Sequence, residues 1–387
     1  MKKSTLLISC LLTFFSIVQA QKQKVIVFAS GNDGYANYRI PAMIRLPDGE
    51  LLAFCEGRVH DAGDFGDIDI VMKRSKDGGR TWSPLQKVAD NGSLQAGNPA
   101  PVLDMTDPAY PAGRLFLFYN TGNNQEGEVR KGKGLREVWY KTSVDGGVSW
   151  SSPVNITLQV HKPAQPAIDT AYHFTEDWRS YANTPGHAVQ FPNGLYKGRI
   201  YVAANHSAGH PLPHFTDYRA HGYYTDDHGK TFHLSEDVPA PGGNESMAAL
   251  LPPDALMMNI RDQSGNVKAR IVAISHDGGV HWDTVYSDRQ LPDPVCQGSI
   301  LTLGSKKGRN ILAFCNAANT TRRDDLTLRI SKDNGMSWNE GTLIDKSPDG
   351  KGSYTAYSDI VSLGKHAIGV LYENENYSRI VFTKVPI

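Results

Sequence analysis

Cysteine is scarce in this 387-residue chain: Cys10, Cys55, Cys296 and Cys315 are the whole set, and none forms a Cys-x-x-Cys pair. That spacing excludes a disulfide framework and a cysteine zinc site. Excess charge of one sign is missing too, with 40 Lys plus Arg against 40 Asp plus Glu. No long-range field draws such a chain to nucleic acid or to an anionic membrane, so neither is expected as a partner. An anionic ligand must be held by local arginines. Apolar runs of membrane length are absent, so no membrane span is expected. The longest, Leu6 to Val18, follows Met1-Lys2-Lys3 and leads into Val18-Gln19-Ala20. That is the layout of a secretory signal peptide. The chain therefore reads as a signal peptide over 1–20 and one domain over 21–387, exported from the cytoplasm. Cys10 leaves with the signal, while Cys55 and Cys315 sit in apolar stretches and read as small core residues of strands.

Phosphate-binding loops, dinucleotide fingerprints and a Gly-x-Ser-x-Gly elbow are missing as well. Among 13 histidines, His206 and His210 are four apart. Gly209 and the Pro211-Leu212-Pro213 that follows make that segment a loop rather than a metal-binding helix. No metal and no cofactor are expected. What remains is an ordinary folded composition, 40% apolar and 21% charged, long enough to bury a large core.

One pattern recurs five times: Ser/Thr-x-Asp-x-Gly-x-x-aromatic. The copies run from Ser75 to Trp82, Ser143 to Trp150, Thr225 to Phe232, Ser275 to Trp282 and Ser331 to Trp338. Asp-Gly, Asn-Gly or His-Gly supplies a tight hairpin turn needing positive φ. The Asp accepts hydrogen bonds from turn amides, and the aromatic packs the hairpin onto its sheet. Short β-forming runs around Val71, Leu117, Val202, Leu328 and Val370 flank the copies, and no long helical period appears. Repetition of this kind argues for a radial array. The expected fold is all-β, a six-bladed β-propeller with about 61 residues per blade, one blade lacking a box. The stretch from Val160 to Pro185 shows no strand pattern and reads as a loop over one face.

Other motifs carry more chemistry. Tyr38-Arg39-Ile40-Pro41 is followed by Glu56-Gly57-Arg58, by Gly63-Asp64-Phe65-Gly66-Asp67 and by Arg74-Ser75. Asn244-Glu245-Ser246 precedes Met257-Met258-Asn259-Ile260-Arg261. Arg323 stands six residues before Arg329, and Tyr357-Ser358-Asp359 precedes Leu371-Tyr372-Glu373. In this order the motifs resemble those of the sialidase (neuraminidase) family, and are close to those of secreted bacterial exo-sialidases, across essentially the whole mature chain. In that family the repeated turns are called Asp boxes, and they read here as structural clamps rather than catalytic or calcium-binding groups. The resemblance implies a glycoside hydrolase releasing terminal sialic acid from glycans, its partners, in the bacterial periplasm or outside the cell.

The resemblance assigns the substrate carboxylate to Arg39, Arg261 and Arg323, whose planar forks suit it better than lysine does. Arg322 is the alternative to its neighbour. Arg58 resembles the arginine near the sugar's 4-position. The anomeric carbon of sialic acid already bears a carboxylate, which would repel an anionic nucleophile. A neutral tyrosine avoids that cost, and sialidases are the known tyrosine exception among glycosidases. Tyr357 matches it and Glu245 matches its base. Asp64 resembles the acid/base, with Asp61 as alternative; Asp67 and Asp69 read as strand positions. Glu373 resembles the carboxylate that orients Arg39. Where many relatives place an Asp near the amide and 4-hydroxyl, this chain has Asn98, which can hydrogen-bond there without charge. Six Asn-x-Ser/Thr sequons include Asn244 beside Glu245. A glycan there would block the site, so the sequons read as incidental. Oligomeric state is not legible. The alternative function is a non-catalytic carbohydrate-binding Asp-box propeller, which would be expected to lose Tyr357, Glu245 or Asp64.

Overall fold

The computed structural model describes residues 24–387. The signal-peptide reading and Cys10 lie outside the described residues. The fold is an all-β propeller. The helical pieces among the described residues are short: Glu126–Arg130, Thr157–Val160 and the 3-10 turn Pro213–Phe215. None is long and apolar enough to cross a membrane.

The pairing corrects the expected six separate blades. Five sheets form: four of blade size, with four, five, four and four strands, and a fifth with eight. The blade-sized sheets begin with the strands Trp178–Asn183, Gly243–Leu251, Gly298–Lys306 and Thr355–Ser362. In the eight-stranded sheet, Asn37–Arg45, Leu51–Arg58, Ile68–Ser75 and Gln86–Ala89 are antiparallel neighbours. So are Gln95–Asp104, Arg114–Gly122, Arg136–Ser143 and Val154–Asn155. One parallel bridge, Ile68 to Gln95, fuses the two sets. Box spacing reports the repeat of the chain but carries no information on such a bridge.

The stretch expected to be a loop, Val160 to Pro185, contains the strand Trp178–Asn183, paired with Ile200–Ala208. Its polar residues Ser180 and Asn183 are buried, so the apolar alternation that marks a half-exposed strand is absent.

Neighbouring sheets meet in chain order, and Asn37–Arg45 meets Thr355–Ser362 to close the ring. Closure uses both ends of the described chain. Lys24–Ala29 is the edge strand of the last sheet, paired with Arg379–Pro386. Phe28 is fully buried in a cluster with Tyr38, Leu371 and Phe382. Each box follows directly on a strand: Ile68–Ser75, Arg136–Ser143, Tyr218–Thr225, Ala269–Ser275 or Leu326–Ser331. In the last sheet the strand Arg379–Pro386 is instead paired with Lys24–Ala29, so no hairpin turn joins the two. In the first box, Asp77 accepts bonds from the Ser75 and Thr81 hydroxyls and from the Arg80 and Thr81 amides, the turn clamp its sequence implies.

Candidate active site

Five inner strands carry a register break facing the cavity: between Arg39 and Ala42, Gly97 and Ala100, Trp178 and Tyr181, Gly243 and Ser246, and Thr355 and Ser358; a further break, between Thr302 and Gly304, lies away from it. A bulge adds a residue, kinks the strand and re-aims side chains. Arg39, Asn98, Ser180, Glu245 and Tyr357 all sit at these breaks, and all line one central cavity of about 270 Å³. Ile40 has φ +59° and Asn98 φ +54°, each preceding a proline. Positive φ is a genuine outlier for a β-branched residue. Ile40 is held there by its N–H, which donates to Glu373 Oε1 at 3.0 Å.

Arg58, Asp64, Arg261 and Arg323 line the same cavity. Tyr357 is 5% exposed, and its hydroxyl donates to Glu245 Oε1 at 2.6 Å. Arg261 Nη1 donates to that hydroxyl at 2.9 Å and to Glu245 Oε2 at 2.6 Å. Burial pushes the phenol well above its ordinary value; the Glu245 charge adds to the rise, and Arg261 and Arg323 oppose it. Arg39 Nε donates to Glu373 Oε1 at 2.6 Å, while Glu373 Oε2 accepts the Tyr357 N–H at 3.2 Å. Glu373 is buried behind the cavity wall and ties arginine and tyrosine together. Arg323 donates to the Tyr377 hydroxyl at 3.2 Å and the Val295 carbonyl at 3.4 Å. Among the described residues no carboxylate forms an ion pair with it, so its charge faces the cavity unspent.

Asp64 stands at the exposed mouth, 2.8 Å from Arg58 Nη1 and 3.9 Å from Arg39 Nη1. Desolvation pulls its carboxyl upward, but the guanidiniums of Arg58 and Arg39 outweigh that and hold it below the usual carboxylate value. The alternatives are not brought in. Asp61 accepts the Gly63 N–H at 2.7 Å in the exposed loop, Arg322 pairs with Asp324 at 3.1 Å, and neither lines the cavity. Asp69 is buried, bonded to the Tyr35 hydroxyl and to Lys87. No box aspartate lines the cavity.

Sequence reasoning gave no role to several residues found here. Glu56 Oε2 accepts from Arg58 Nη2 at 2.6 Å, and its Oε1 from the Asn98 N–H at 2.9 Å. One carboxylate thus sets both positions. Glu126, Arg136 and Ser180 complete the far wall. Glu126 lies on a five-residue helix in a loop, without local pattern; Glu56 stood in a quoted motif, with no sign that it faced inward.

The repeats and the propeller define the class first: residues 49–369 match the BNR repeat-like domain. A 31% identical sialidase from Micromonospora viridifaciens aligns over 89% of this chain and 51% of its own length. An exo-alpha-sialidase from Arthroderma benhamiae is 30% identical over 89% of the chain and 79% of its own. Among solved structures, a Hadza microbial sialidase superposes with TM-score 0.77 at 25% identity, covering 94% of this chain and 68% of that one. The chain belongs to the sialidase family, a family of glycoside hydrolases. It spans about half the length of the Micromonospora relative.

Proposed function

We propose that this chain is an exo-α-sialidase that hydrolyses terminal sialic acid from glycoproteins, glycolipids and oligosaccharides with retention of configuration. The observation that carries this reading is the Tyr357–Glu245 hydrogen bond of 2.6 Å inside a cavity walled by Arg39, Arg261 and Arg323. The three guanidiniums take the substrate carboxylate. Glu245 accepts the Tyr357 proton as the phenolic oxygen attacks the anomeric carbon, which offsets the cost of ionising a buried phenol. Asp64 protonates the leaving glycosidic oxygen and later deprotonates the incoming water. Substrate carboxylate neutralises arginines that depress Asp64, so binding itself raises its affinity for the proton it must donate. Glu373 orients Arg39, Arg58 serves the 4-position and Asn98 the amide side. Residues 1–20 support a location outside the cytoplasm.

Tyr357→Phe keeps the ring and removes the oxygen. Release of fluorophore from a fluorogenic α-sialoside is expected to fall by roughly a hundredfold or more, with unchanged circular dichroism. Full turnover in that variant would remove tyrosine from the mechanism. No release by the parent protein would favour the sugar-binding alternative.

A further inference from the structure

The histidine pattern gave no metal site, because the helical spacing of His206 and His210 is broken by a loop. Strand pairing brings His206 to a different partner. In the register of Ile200–Ala208 with Tyr218–Thr225, His206 is opposite Arg219 and His221 opposite Ala204. His206 and His221 are therefore diagonal neighbours on one face. Both are buried, with their Nδ1 atoms 3.2 Å apart. Asp237, from the following loop, brings a carboxylate oxygen to 3.6 Å from His206 Nε2. One ligand atom from each of the three can be chosen so that all lie within 4.8 Å of one another.

We propose that His206, His221 and Asp237 bind a first-row transition-metal dication of the zinc class. Metal–nitrogen bonds of about 2.0–2.1 Å at tetrahedral angles place ligand nitrogens about 3.3 Å apart, close to the 3.2 Å between the two Nδ1 atoms; Asp237, whose carboxylate lies nearest His206 Nε2, must turn toward that pair to complete the set. The surroundings set ring orientation as outer contacts of metal sites do. The Tyr181 hydroxyl lies 3.3 Å from His221 Nε2, so Nδ1 is the nitrogen turned toward His206. The Trp178 indole stacks on His206 at 3.5 Å between centroids with planes 9° apart. An independent sign is His161. It lies against Tyr181 at 4.6 Å between centroids, fully enclosed, with neither ring nitrogen hydrogen-bonded. A buried imidazole with neither nitrogen bonded is costly, and His161 is such a ring beside the pair.

Two cations lie near. Arg219 turns Nη1 to the Thr216 and Tyr218 carbonyls, and Lys162 is paired with Glu176. Both moderate the affinity without blocking the site. The other candidate cluster, Asp104, Asp107 and His228, is weaker. Asp104 is already saturated by Thr106, Asp107, Gln190 and His228.

The test titrates the EDTA-treated full-length protein with Zn²⁺ by calorimetry and with Co²⁺ by absorption and tryptophan fluorescence. One equivalent of Zn²⁺ is expected, with a higher melting temperature. Co²⁺ should give a tetrahedral ligand-field band and quench part of the emission through Trp178. Asp237→Asn changes a partly exposed carboxylate and spares the core; it should weaken Zn²⁺ binding at least about tenfold. His221→Gln should abolish binding, and if it does not fold, Asp237→Asn alone decides. His276→Ala with His281→Ala removes exposed histidines as a control and should leave binding intact. Absence of stoichiometric binding, undiminished binding in Asp237→Asn, or loss in the surface control would each overturn the proposal.

Discussion

At the scale of single residues, the site is a set of arginines distinguished by what already neutralises them. Arg39 is spent on Glu373, Arg261 on Glu245, and Arg58 on Glu56 and Asp64. Arg323 meets only neutral oxygens, which leaves it the strongest attraction for an incoming carboxylate. Arg58 also controls protonation. It stabilises ionised Asp64, so removing its charge raises the affinity of that carboxyl for a proton, and a general acid stays protonated to higher pH. Arg58→Gln is therefore expected to move the descending limb of the kcat/KM–pH profile upward, whatever it does to the absolute rate. An unmoved limb would mean that Asp64 is not the acid. These roles became legible through the family motifs. Spacing alone never links positions 39, 261 and 323, and Glu56 looks like any strand glutamate until its two oxygens are found divided between Arg58 and Asn98.

At the scale of elements, the boxes and the bulges do separate jobs. The glycine at the fifth position of each box lies against a neighbouring repeat. A Cβ on Gly79 would meet the Phe382 ring at 2.0 Å, on Gly229 the Phe116 ring at 2.7 Å, on Gly279 the Tyr201 ring at 2.4 Å and on Gly335 Met257 at 2.5 Å. The box is thus a clamp between neighbours as well as a turn. Gly279 also has φ +92°, so Gly279→Ala incurs backbone strain and overpacking together. We expect a loss of about 2–4 kcal/mol in chemical denaturation; the cavity lies elsewhere, so the surviving folded fraction should keep its kcat. The turn chemistry of the boxes was readable because it is local. The bulges were not: a strand break before Ile40-Pro41 or Asn98-Pro99 depends on which partner strand lies alongside.

At the scale of the whole molecule, the ring holds the site together. Arg39 and Glu373 belong to different sheets, and their 2.6 Å contact exists only when Asn37–Arg45 is seated against the last sheet. The edge strand Lys24–Ala29 fastens that junction. Phe28→Ala should cost about 3–5 kcal/mol and lower the thermal midpoint. Because the junction carries Arg39, activity should disappear along the same curve as structure. Activity outlasting the unfolding transition, or a variant as stable as the parent, would contradict this view of closure. The fused eight-stranded sheet arises at the same scale, from one parallel pairing that no local pattern encodes.

The amino-acid order by itself determined the repeat, the turn clamps and the all-β character, because hairpin chemistry acts over a few neighbouring residues. Its family motifs singled out Arg39, Asp64, Glu245, Arg261, Arg323 and Tyr357, which line one cavity. Only the tertiary structure decided the sheet count, the strand hidden between Trp178 and Asn183, the shared carboxylate of Glu56 and the pairing of His206 with His221. These depend on contacts between segments far apart in the chain, where register and approach distance are settled by packing rather than by local preference.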